Sequence, residues 1–155
     1  MVTDHNSEEW IDGFRAALNQ LKQDAENKWA GFEVFPGVEI SCNSSIHLIA
    51  IFDSSKQGAD IDGLIGSVGY QGGRGNSDGV TNSSVEDVIA KVHQEDGIAC
   101  ATHIDMPKGL LSFITDHNTL LPIFDKLNAV EIINPASEVI EKNKSKLDEF
   151  AVALG

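Results

Sequence analysis

Six side chains hold most of the chemistry this sequence can offer: Glu39 and the five histidines His5, His47, His93, His103 and His117. Glu39 follows Pro36-Gly37-Val38 and precedes Ile40. It sits in an apolar, strand-like run where a lone carboxylate is costly unless paired or ligated. His47 lies inside Ile46-His47-Leu48-Ile49-Ala50-Ile51-Phe52, under the same constraint. His103 ends the run Ile98-Ala99-Cys100-Ala101-Thr102, apolar enough for a buried parallel strand. His5 follows the Val2-Thr3-Asp4 start. In parallel α/β folds the carboxyl ends of strands form the site. A hairpin that pairs 38–41 with 45–51 around a three-residue turn at 42–44 would set Glu39 directly opposite His47 on one face. A four-residue turn would set the two on opposite faces. Carboxylate and imidazole together suit Zn²⁺, Mn²⁺ or Fe²⁺ rather than Ca²⁺. Each histidine taken singly is more often a satisfied structural residue than a ligand, and Glu39 is what changes the balance. His93, on the polar side of a helix, and His117, in a loop-like stretch, read as solvent-facing.

Other chemistries have weaker support. Cys42 and Cys100 lie in apolar surroundings, form no C-x-x-C pair, and read as small buried hydrophobes in a reducing cytosol. No G-x-S-x-G occurs: Ser67 has Gly69 at +2 but Ile65 at −2. Residues 66–79 hold six glycines, yet Gly73-Arg74-Gly75-Asn76-Ser77-Asp78-Gly79 misses the G-x-G-x-x-G spacing. This stretch reads as a mobile loop. There is no Walker A sequence, so any ATPase would lie outside the chain.

The elements that must position these residues follow from periodicity. Asn6 and Ser7 before Glu8 and Glu9 are helix-start chemistry. Trp10, Ile11, Phe14, Ala17, Leu18, Leu21 and Ala25 then recur at helical spacing, and Gly31 closes that helix. Phe32 to Phe35 reads as a short strand broken by Pro36-Gly37. Val38 to Cys42 and Ile46 to Phe52 read as two more, and Asp60 to Ser67 as a short helix. Ser83-x-x-Glu86 is a capping-box pattern ahead of Val85, Val88, Ile89 and Val92, and Gly97 stops that helix. Leu120 to Leu127 and 137–152 read as helices. Ala129 to Ile133 reads as a strand with Glu131 inside it. Strands alternating with helices predict an α/β layer or barrel in a single domain.

Four strings, Thr3-Asp4-His5-Asn6, Pro36-Gly37-Val38-Glu39-Ile40-Ser41, Ile46-His47-Leu48-Ile49 and Gly97-Ile98-Ala99 through Thr102-His103, resemble the PHP (polymerase and histidinol phosphatase) family in order and spacing. The chain is most similar in flavour to PHP domains fused to an AAA-like ATPase, as in TrlF-like proteins, from about Val2 to Ile133. The resemblance implies a distorted (β/α)7 TIM-like barrel with divalent metal ions, commonly Zn, Mn or Fe, at the strand ends. It implies hydrolysis of phosphoesters by a metal-activated water that attacks phosphorus. Carried over, Glu39 bridges two metals, His47 and His103 complete one ligand set, and His5 serves a neighbouring metal. Glu39 and His103 stand nearest the reaction, and Asp4 is at most a support behind His5.

The family's opening H-x-H and closing D-x-H have no counterpart here. Asp105 and Thr115-Asp116-His117-Asn118 lie in loop-like contexts and do not replace them. The expectation is a partial barrel, a PHP domain cropped at both ends, weak or inactive alone and with exposed sheet edges. The expectation from another class is a non-catalytic PHP-like binding or regulatory module attached to an AAA-like ATPase. A different metallohydrolase using the same residues is a third.

Composition bounds the partners. The 155 residues are 41% hydrophobic and 23% charged, normal for one globular domain. Eleven Lys+Arg face 24 Asp+Glu, a net charge of −13. A duplex-binding surface needs clustered cations. Only Lys142, Lys144 and Lys146 lie close together, and Glu138, Glu141, Asp148 and Glu149 surround them. A small anionic substrate stays open if bound metal ions reverse the local charge, and the PHP resemblance implies a small phosphorylated molecule or nucleotide. No apolar run is long enough for a membrane helix, and the polar start is no signal peptide. A cytoplasmic protein is expected.

Overall fold

The computed structural model describes residues 3–24 and 28–154. Its elements are α1 (Trp10–Asp24), β1 (Gly37–Ser41), β2 (His47–Ile51), α2 (Gly58–Ser67), α3 (Val85–Gln94), β3 (Ile98–Ala101), α4 (Leu110–Phe113), α5 (His117–Phe124), β4 (Ala129–Val130) and α6 (Glu138–Leu154). The strands make one open four-stranded sheet in the order β1-β2-β3-β4. β1 and β3 both run antiparallel to β2, while β3 and β4 are parallel. The fold is thus mixed α/β with an open sheet, and these strands do not by themselves form a barrel. Among the described residues no helix is long and apolar enough to cross a membrane.

Period-two alternation gives the sheet two different faces. Val38, Ile40, Leu48, Ala50, Ala99 and Ala101 are almost wholly buried. They share a core with Ile61, Leu64 and Ile65 of α2, Val85, Val88, Ile89 and Val92 of α3, and Leu120, Ile123 and Phe124 of α5. The opposite face carries Glu39, Ser41, His47, Ile49 and Cys100, because Glu39 pairs with Ile49, Ser41 with His47, and Ile49 with Cys100.

The hairpin register differs from the expected one by two residues. Its three-residue loop is Asn43-Ser44-Ser45, closed by a hydrogen bond from the Cys42 amide to the Ile46 carbonyl. Ser45 takes φ +63°, the left-handed residue that ends such loops. Glu39 therefore faces Ile49, not His47. A shift of two preserves side-chain parity, so Glu39 and His47 still share a face.

Other expectations shift too. Phe32 to Phe35 form no strand, and Phe32 and Phe35 are exposed. Part of the first helix's expected end, at Ala25, lies outside the described residues. The cap of α3 is Ser84, whose hydroxyl accepts from the Asp87 amide, one position after the expected Ser83. The left-handed residue after α3 is Asp96 (φ +58°). Gly97 is needed for space, since a Cβ there would meet the Phe52 ring and Val92. His117 begins α5 rather than lying in a loop, capped by Asp116, whose carboxylate accepts from the Thr119 amide. α4 was not expected.

The glycine-rich stretch is tied down rather than mobile. The Tyr70 hydroxyl donates within reach of the Gly73 and Asn76 carbonyls. Asn6 Nδ2 donates to the Asn76 carbonyl, and Lys108 Nζ to the Ser77 carbonyl. Arg74 pairs with Glu8 and Asp62. Asn6, Lys108 and Glu8 come from distant segments, which is why composition alone reads the stretch as slack.

Candidate metal centre

Glu39 stands at the middle of three imidazoles. Its Oε1 accepts from His47 Nδ1 at 2.8 Å and lies 3.4 Å from His103 Nε2, and its Oε2 is 3.7 Å from His5 Nδ1. The His47 ring stands edge-on to both others, with centroids 5.3 Å from His5 and 5.2 Å from His103. All four residues singled out from the sequence thus converge.

Each is delivered by a different piece of chain. Residues 4–6 run alongside β1: the Glu39 amide donates to the Asp4 carbonyl and the Asn6 amide to the Glu39 carbonyl, forming a parallel bridge between His5 and Glu39. His47 starts β2 and is held on both sides. Its amide donates to the Lys108 carbonyl, and its carbonyl accepts from the Thr102 amide and hydroxyl. His103 follows β3 with φ +32°, a region that side-chain-bearing residues rarely occupy. The Glu131 carboxylate accepts from its amide at 2.9 Å and anchors it there. Gly109 packs against the backbone of His103 and Ile104 closely enough to leave no room for a Cβ.

Two of these supports were not legible as site residues. Asn6 is fully buried at φ +46°, a conformation asparagine tolerates well. Its Oδ1 accepts from the Ser41 amide, and its Nδ2 donates to Ser41 Oγ and the Asn76 carbonyl. The adjacency Asp4-His5-Asn6 was its only sequence signal. Glu131 read simply as a polar residue within a strand. Asp4 turns its carboxylate to the backbone, accepting from the His5 amide. Asp105 is buried and caps the chain after β4 by accepting from the Ile133 and Asn134 amides.

The donor set fits a divalent cation. His5, Glu39 and His47 each offer a ligand atom, and these atoms lie within 4.8 Å of one another. His103 approaches the same carboxylate. Buried polar atoms are almost always hydrogen-bonded, yet His5 Nδ1, His47 Nε2 and His103 Nδ1 are buried without a partner. With Glu39 ionised, His47 donates to it through Nδ1 in the metal-free chain, and an ion shared by the two groups would take the place of that proton. A nitrogen-rich, single-carboxylate set suits zinc, manganese or iron. The cysteines offer no competing nucleophile. Burial pushes the Cys42 thiol well above its ordinary value, and burial with the nearby Glu131 charge raises Cys100 to about 11.

Burial works to raise the Glu39 carboxyl. The His47 hydrogen bond and the charges of His5, His47 and His103 outweigh it and hold the group below the ordinary glutamate value. A carboxyl lowered on folding contributes stability above its unfolded value, and that contribution is lost as pH falls through the lowered one. Glu39→Gln is expected to remove it. In urea unfolding of the metal-free protein, the stability gap between wild type and variant should narrow as acid protonates Glu39. A gap that stays flat from about pH 6 to about pH 3 would show the carboxylate to be unpaired in the folded chain.

His47 and His103 also line an open groove of about 430 Å³ with Met106, Pro107, Lys108 and Ile133. A larger cleft, about 580 Å³, lies along α1 and contains none of these ligands. Its Arg15 already donates to the Ser54 and Lys56 carbonyls. No family model matches the chain, and no curated protein matches its sequence.

Proposed function

We propose that this chain is a metal-dependent phosphoesterase domain of PHP type, in which Glu39, His47 and His103 hold one divalent ion and His5 a second beside it. The observation that carries the reading is one carboxylate in reach of three imidazole nitrogens. The resemblance of the four sequence strings to PHP domains supplies the reaction class. Under this reading the open sheet is an arc of a PHP-type barrel, with the site on its inner face.

When bound, divalent ions supply charge neutralisation on phosphate oxygens and water activation near neutral pH. The chain's own residues do the positioning. Glu39 stays ionised because its imidazole neighbours outweigh its burial. His47 is fixed by backbone contacts on two sides, and His103 is fixed by Glu131. The groove along His47 and His103 leaves one side of the cluster open to a substrate. Such rigid backing is what holds ligands to the tolerance that metal chemistry needs.

The test is elemental analysis of the purified chain after reconstitution with Zn²⁺ or Mn²⁺, followed by hydrolysis of 4-nitrophenyl phosphate and 4-nitrophenyl acetate. At least about one ion per chain is expected, with metal-dependent turnover of the phosphoester in preference to the acetate. A chain that takes up no metal overturns the reading. Metal uptake with turnover of the acetate alone would favour a different metallohydrolase. A second reading, a PHP-like binding module working with an AAA-like ATPase, draws on the exposed apolar residues Phe14, Leu21, Trp29 and Phe32, which line a groove with α1. Absence of metal would turn attention there.

A further inference from the structure

We propose that Lys108 is the residue that receives a non-bridging oxygen of the substrate's phosphate group. The proposal rests on the phosphoesterase reading of the same site. It adds the anion-binding residue, which none of the four sequence strings contains.

Lys108 is the cation that lines the groove beside His47 and His103. It is coupled to the site through its backbone, since its carbonyl accepts from the His47 amide at 3.2 Å. Its ammonium has two partners. Nζ donates to the Ser77 carbonyl at 3.0 Å and to Asp78 Oδ1 at 3.1 Å. Ser77 belongs to the stretch that Asn6 and Tyr70 tie down, so the charge is parked against a fixed wall. An ammonium has three donors, and these contacts use two.

The Asp78 partner is a weak competitor. Its side chain is 87% exposed, and exposed ion pairs contribute little. An incoming phosphate, with several anionic oxygens, would take the free donor and then displace Asp78. The wider charge balance sharpens the point. In a chain of net charge −13, a small phosphorylated molecule meets general repulsion. A cation at the groove is a local exception that the anion can use.

Inorganic phosphate is the probe. Its affinity for the reconstituted protein is measured by calorimetry for wild type, Lys108→Ala, Lys108→Arg and Asp78→Asn, with metal content and thermal unfolding recorded for each. Loss of one charge-assisted hydrogen bond predicts about tenfold weaker phosphate binding in Lys108→Ala, partial recovery in Lys108→Arg, and tighter binding in Asp78→Asn. KM for 4-nitrophenyl phosphate should rise by a similar factor in Lys108→Ala. Metal content and unfolding temperature should match wild type throughout, which separates anion binding from a structural role. Phosphate affinity within about twofold of wild type in Lys108→Ala, or no phosphate binding by the wild type, overturns the proposal. If metal binds and phosphoesters turn over while Lys108→Ala leaves phosphate affinity unchanged, the phosphoesterase reading stands and this inference falls. If no metal binds but phosphate does, and only with Lys108 present, the phosphoesterase reading falls and the anion site remains.

Discussion

Glu39→Ala is expected to lower metal affinity by at least about a hundredfold and to bring phosphoester hydrolysis to background. Residues that merely orient metal ligands cost about 10–100-fold when removed, so loss of the ligand at the centre of the cluster must lie at or beyond that range. Glu39 lies within reach of all three imidazoles, at 2.8, 3.4 and 3.7 Å. Its loss removes the negative charge that makes the cluster attractive to a cation and leaves His47 Nδ1 without its partner. A readout independent of turnover is available. A ligand at 100 times its Kd stabilises the folded state by about 2.7 kcal/mol. Thermal unfolding of the wild type should therefore rise on adding saturating Zn²⁺ or Mn²⁺, and that rise should vanish in Glu39→Ala. His93→Ala makes the control: His93 is exposed on α3, where its ring contacts Asn128, and its metal response should equal the wild type's. An undiminished metal-induced shift in Glu39→Ala would place the binding elsewhere.

Asn6→Ala should be a strongly damaging polar change outside the candidate ligand set. Asn6 is fully buried and makes three side-chain hydrogen bonds, one accepted from the Ser41 amide and two donated, to Ser41 Oγ and the Asn76 carbonyl. Loss of three such bonds costs about 3 kcal/mol. For a chain of this size that corresponds to a fall in Tm of roughly 10 °C. The backbone adds to the penalty, because φ +46° suits asparagine better than alanine. Asn6→Asp keeps the acceptor for the Ser41 amide but sets a buried carboxylate oxygen against the Asn76 carbonyl, so it should destabilise at least as much as alanine. The effect should reach the metal centre: with the 4–6 segment loosened from β1 and from the 73–79 stretch, His5 loses its fixed place. Metal-free urea unfolding checks the stability, and metal titration the placement. An Asn6→Ala protein as stable as wild type would mean that the 4–6 segment does not lie against β1 in solution.

Much of the candidate site was legible because its signals are local. A carboxylate between Val38 and Ile40, and a histidine between Ile46 and Leu48, are polar groups in apolar runs, and burial without a partner is too costly for either to be incidental. Helix α3 was legible from apolar spacing for the same reason, since a buried stripe needs a fixed period. The hairpin shows where local reasoning thins. Its turn lies at 43–45 rather than 42–44, but side chains alternate with period two, so a slip of two changed the partner of Glu39 without changing its face.

What could not be read from the chain is whatever depends on residues far apart in it. The antiparallel order of β1, β2 and β3 and the openness of the sheet depend on which strands meet. The glycine-rich stretch looked slack because its restraints, Asn6, Tyr70 and Lys108, include residues some 30 to 70 positions away. The left-handed turn at His103 depends on Glu131, 28 residues later. Residue types and their spacing therefore singled out the candidate ligands and the main helices, because burial imposes those costs position by position, while the hairpin register settled which face Glu39 and His47 share. Tertiary packing decided how His5, Glu39, His47 and His103 converge and what holds them, because those contacts form only after distant segments have paid the entropy of coming together.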